Sequence, residues 1–75
     1  MKIEILGPGC SKCKALYENT KRAVEESGAN AEIVKVEEIA GIMSYGVMST
    51  PALVIDGQVK FSGKVASAAE IKGML

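Results

Sequence analysis

Residues 2–13 read Lys2-Ile3-Glu4-Ile5-Leu6-Gly7-Pro8-Gly9-Cys10-Ser11-Lys12-Cys13, and the fold turns on how they are parsed. The apolar run around Ile3, Ile5 and Leu6 predicts a strand over residues 2–6, and Gly7-Pro8-Gly9 ends it. From Ser11 to about Ser27 the pattern turns helical, with Cys13, Leu16, Tyr17, Thr20 and Val24 on one face. The opposite face carries Lys14 with Glu18, Glu18 with Arg22 and Lys21 with Glu25, pairings that predict a solvated surface. Gly28 stands where a left-handed helix-ending residue belongs.

Working outward, Glu32-Ile33-Val34-Lys35-Val36 predicts a second strand. Strand, helix, strand makes a right-handed βαβ unit, so these two strands run parallel. A shorter helix is expected from about Glu38 to Tyr45, with Ile39, Ile42 and Met43 turned inward and Gly46 as its stop. Ala52-Leu53-Val54-Ile55 and Gln58-Val59-Lys60-Phe61 flank Asp56-Gly57, a strong hairpin signal because both turn residues need positive φ. Ser67 and Glu70 form a capping box ahead of Ile71, Met74 and Leu75, which predicts a C-terminal helix. The order is β-α-β-α-β-β-α. It describes an α/β fold: residues 1–75 as one domain, with a mixed four-stranded sheet and helices on both faces.

Composition narrows the function. A chain of 75 residues with 48% hydrophobic side chains is globular rather than disordered. Nine basic and nine acidic residues cancel, so the basic excess of a nucleic-acid or anionic-membrane binder is missing. No apolar run approaches the roughly 20 residues that span a bilayer, and the N-terminus lacks a basic segment followed by an apolar one. A cytoplasmic protein is the expectation. Its two cysteines are too few and too close together to act as a disulfide scaffold.

Cys10-Ser11-Lys12-Cys13 falls where the first strand has ended and the first helix begins. Unpaired N–H groups and a partial positive charge at a helix start favour an anion, so the Cys10 thiolate should be stabilised and its pKa lowered. Cys13, within the first turn and on the inner face, should be more shielded. That asymmetry assigns Cys10 as the nucleophile that attacks a disulfide and Cys13 as the resolving thiol that releases the reduced product. Gly7, Pro8 and Gly9 leave the approach side free of bulk.

Ser49-Thr50-Pro51 stands immediately before the third strand, a position where proline is tolerated. With this element order, a Cys-x-x-Cys after the first strand and Thr50-Pro51 before an apolar strand, the chain resembles the thioredoxin and glutaredoxin families over nearly its whole length. It is most similar to the small redox-active disulfide proteins of archaea and bacteria. The resemblance implies a minimal thioredoxin fold, a cis Pro51 facing the dithiol, and a Thr50 backbone that pairs with an extended substrate segment. Gly9, Ser11 and Lys12 would flank that segment. It further implies a monomeric protein-disulfide oxidoreductase with no cofactor beyond its dithiol. Its partners would be disulfide-containing proteins and a thioredoxin-reductase-type enzyme.

The chain also departs from the families it resembles. Thioredoxins usually carry Trp before the first Cys and Gly-Pro between the two, where this chain has Gly9 and Ser11-Lys12. Glutaredoxins usually carry a Gly-Gly pair and a downstream Asp that help bind glutathione. Here Ser62-Gly63-Lys64-Val65-Ala66 stands in that place, without the Asp.

The same resemblance points to Glu4 and Lys35. Thioredoxins have a buried acid in the strand before the dithiol and a lysine on the next strand, and these two residues match those places. A buried Glu4 near Cys13 would take the proton that Cys13 must lose, with Lys35 as its partner. Lys2 and Glu4 sharing an exposed face at the start of the strand is the plainer reading.

The rival function is a Cu(I) carrier holding the metal on the same two thiolates. Such carriers resemble β-α-β-β-α-β, usually have Met where Pro8 stands, and have no use for Thr50-Pro51. Structural zinc needs four ligands, and the chain offers two Cys and no His. A docking domain that has lost turnover would have no reason to keep both cysteines.

Overall fold

The computed structural model describes residues 1–9 and 11–75. Seven elements follow one another: β1 (Lys2–Leu6), α1 (Ser11–Ser27), β2 (Glu32–Val36), α2 (Ile39–Ser44), β3 (Ala52–Ile55), β4 (Gln58–Ser62) and α3 (Ala68–Lys72). The strands form one mixed sheet in the order β2-β1-β3-β4. β1 runs parallel to β2, with Ile5 opposite Lys35, and antiparallel to β3, with Glu4 opposite Val54. This is the α/β architecture expected from the sequence.

Alternation along β1 divides the core in two. Ile3 and Ile5 point to one face, where they meet Leu16 and Ala23 of α1, Leu53 and Ile55 of β3, and Ile71 of α3. Leu6 points to the other face and meets Ile42 of α2 with Ala52 and Val54 of β3. Both faces of β1 and β3 are therefore covered, which is why their burial is continuous rather than alternating. The outer strands β2 and β4 are far more exposed.

Local chemistry fixes the boundaries. Asp56 and Gly57 adopt φ of 49° and 82°, the double positive φ of a tight hairpin turn. The turn is clasped to the start of β1, because the Lys2 amide donates to Asp56 Oδ1 at 2.8 Å and the Asp56 amide donates to the Lys2 carbonyl at 2.8 Å. In α3 the Glu70 amide donates to Ser67 Oγ at 3.2 Å and the Glu70 side chain accepts from the Ser67 amide, so the capping box is complete. Opposite Leu53 and Val54 the β4 register slips, pairing them with Phe61 and Val59 and leaving Lys60 as the extra residue of a bulge.

One expectation is corrected. Of the stripe Ile39, Ile42 and Met43, only Ile42 is buried; Ile39 and Met43 are 69% and 67% exposed. The face of α2 that meets the sheet is centred on Gly41, Ile42 and Tyr45. Gly41 has no Cβ, and one added there would come within 3.0 Å of Val36 Cγ1, so the helix backbone lies close against the end of β2. That rotates the larger side chains on either side of it toward solvent.

Candidate active site

The C-terminal ends of β1 and β2 open the site. The Gly7 amide donates to the Val36 carbonyl at 2.9 Å, which extends the β1–β2 ladder by one step and buries Gly7. Pro8 and the left-handed Gly9, with φ of 89°, then turn the exposed chain toward α1. Ser11 and Lys12 lie exposed in the first turn of that helix. Cys13 follows on the inner face and is 5% exposed. The proposed nucleophile, Cys10, lies outside the described residues.

Gly7 has a different task from the one its neighbours suggest. A Cβ on Gly7 would overlap Cys13 Sγ and come within 3.2 Å of Cys13 Cβ, with Pro51 Cα 3.9 Å away. The missing side chain therefore makes the space for the Cys13 sulfur, inside the protein rather than on its approach side. The same contact brings Pro51 to the dithiol end of the sheet. The Thr50–Pro51 bond is cis, Pro51 is buried and Thr50 is exposed. The end of β4 fastens this turn, since the Gly63 amide donates to the Pro51 carbonyl at 2.8 Å.

Beside Cys13 is a cavity of about 110 Å³ lined by Ile5, Gly7, Gly9, Cys13, Lys14, Lys35 and Glu37. Lys35 registers with Ile5 and so shares the α1 face of the sheet, and its Nζ lies 4.3 Å from the centre of the Tyr17 ring. An ammonium over an aromatic face is held by the ring's negative π density. Glu37 enters from just beyond β2. Its Oε2 would stand 3.1 Å from a Cβ on Gly9.

Glu4 is buried as the resemblance implied, at 8% exposed, but the structure does not bring it together with Cys13 or Lys35. It sits one residue from Ile5 and therefore projects to the α2 face, away from the α1 face that carries Cys13 and Lys35. There Tyr45 Oη donates to Glu4 Oε2 at 2.5 Å, and Lys2 Nζ lies 3.8 Å from Oε1. The hydrogen bond to the Glu4 carboxylate holds the Tyr45 phenol above its usual range, helped by partial desolvation. Sequence reasoning did not single out Glu37 or the Tyr17 and Tyr45 partners. Glu37 reads as one more surface carboxylate after a strand, and only the assembled sheet shows what it faces.

Comparison with known proteins places this geometry. The thioredoxin-domain family model matches residues 1–75. The chain belongs to the thioredoxin family. It is 44% identical over 75 residues to a thioredoxin of Methanothermobacter thermautotrophicus, covering 100% of this chain and 97% of that one. It is 49% identical over 70 residues to a thioredoxin of Methanocaldococcus jannaschii, covering 93% of this chain and 80% of the other. Among the described residues, no helix is long and apolar enough to cross a membrane, and no group of three or more His, Cys, Asp or Glu side chains is placed to hold a metal ion.

Proposed function

We propose that this thioredoxin-family protein is a protein-disulfide oxidoreductase that works through the Cys10-Ser11-Lys12-Cys13 dithiol. Cys10, as thiolate, attacks a substrate disulfide and forms a mixed disulfide, expelling the first substrate thiolate. Cys13 then loses its proton and attacks Cys10 Sγ, which breaks the mixed disulfide, frees the second substrate thiolate and leaves the Cys10–Cys13 disulfide for an external reductase. The observation that carries this reading is the seating of Cys13. It is buried in the first turn of α1, against a glycine that leaves room for its sulfur and beside Pro51. A resolving thiol needs such shelter: it must stay close to its partner yet out of reach of solutes. Exposed Thr50, next to that proline, is placed for its backbone to pair with an extended substrate segment.

Insulin reduction tests the proposal, driven by dithiothreitol and by a thioredoxin reductase. Wild type should turn over. The Cys13→Ser variant should accumulate a mixed disulfide with a disulfide-bonded substrate, whereas Cys10→Ser should accumulate none. Equal trapping by both variants would remove the role assignment. An inactive wild type that takes up Cu(I) tightly, one to one, would replace the reading by that of a metal carrier.

A further inference from the structure

We infer that Glu37 is the proton acceptor for Cys13 in the resolving step. The inference rests on the oxidoreductase reading above and extends it to the residue that makes Cys13 a nucleophile. Cys13 is buried, with Ile5 lining the same cavity, and burial favours the neutral thiol over the thiolate. A base must therefore meet it. The acid in β1 is on the wrong face of the sheet and is engaged by Tyr45.

Among the described residues, three ionisable side chains line the Cys13 cavity from the surrounding elements: Lys14 of α1, Lys35 of β2, and Glu37 just after β2. Of these three, Glu37 is the one that offers a carboxylate oxygen to receive a proton. Its carboxylate lies against Gly9, and both residues line the cavity that Cys13 lines. Lys35 is steadied by the Tyr17 ring, which lies one helical turn beyond Cys13 on the same helix. Lys14 and Lys35 line the same cavity, so the thiolate forms beside two ammonium groups.

The step balances without an outside reagent. The Cys13 proton passes to Glu37, directly or through one water, and the Cys13 thiolate attacks Cys10 Sγ. The bond between Cys10 and the substrate sulfur breaks, and the departing substrate thiolate recovers the proton from Glu37 as it leaves the cavity.

Stopped-flow mixing of the reduced protein with one equivalent of the neutral aromatic disulfide dithiodipyridine reads the two chemical steps separately. The first thiopyridone appears when Cys10 attacks and the second when Cys13 displaces it. In Glu37→Gln the second phase should slow by roughly 100-fold near pH 7, the low end for a positioned proton acceptor, with the first phase little changed. The deficit should shrink as pH rises and hydroxide takes over the removal of the proton. Glu37→Asp should recover part of the rate. Glu37 is exposed, so these variants should fold as the parent does.

A second phase in Glu37→Gln that matches wild type across the pH range overturns the inference. So does a faster one, since removing a merely repulsive charge would ease Cys13 ionisation. Neither result touches the oxidoreductase reading, which fails instead if wild type shows no second phase or if Cys13→Ser retains it.

Discussion

At Gly7 one absent carbon decides where a sulfur can sit. Gly7→Ala would push a methyl group into the place of Cys13 Sγ. The substitution should cost about 1–3 kcal/mol, as overpacking of a filled site does. It should also reduce insulin turnover, and urea melts with parallel activity assays will show whether both fall together. Tyr45 makes a different prediction. Its phenol is raised by the Glu4 hydrogen bond, so that bond stabilises the fold fully below the ordinary tyrosine value of 10.0 and ceases to do so as pH climbs through the higher folded value. Tyr45→Phe should therefore unfold at lower urea than wild type near neutrality. The gap between the two midpoints should close in strongly alkaline buffer.

Among the elements, α3 is the most explicit in the sequence. Ser67 and Glu70 announce its start, and the observed bonds are those the spacing requires. Ser67→Ala should cost about 1 kcal/mol, the usual value of a lost N-cap, measurable by urea denaturation. Lys64, 3.1 Å from Glu70 Oε2, together with the Ser67 amide, holds the Glu70 carboxyl below its ordinary 4.5. That contribution is in place above 4.5 and is lost as pH falls through the lower folded value, so the penalty of Glu70→Gln, which removes the carboxylate itself, should narrow in acid. The limits of β1, α1 and β2 and the Asp56-Gly57 turn were equally legible, because breakers, caps and turn chemistry are local. The orientation of α2 was not. Over a helix as short as Ile39–Ser44, Ile39, Ile42 and Met43 mark a plausible face, but the contact with Val36 depends on Gly41, whose meaning appears only when the strand is beside it. Glu4 illustrates the same limit. Alternation tells which residues of β1 share a face, yet in a strand buried on both sides it cannot tell which face carries the dithiol.

For the whole molecule the margin is narrow. At about 0.05–0.15 kcal/mol per residue, 75 residues carry roughly 4–11 kcal/mol of stability. Leu53 is fully buried and belongs to the larger core cluster, which joins the sheet to α1 and α3. Leu53→Ala should cost about 2–5 kcal/mol, a large share of that total, and calorimetry should show one cooperative transition at a much lower temperature. Because each face of the sheet is sealed by its own helices, the strand main-chain groups left open to other molecules are those along the outer margins of β2 and β4. On β4 the slip at Lys60 interrupts the regular spacing of those groups and sets a cation at the interruption. A neighbouring copy could not zip onto that margin without meeting both the misfit and the charge, so the irregularity guards against runaway self-association at high concentration.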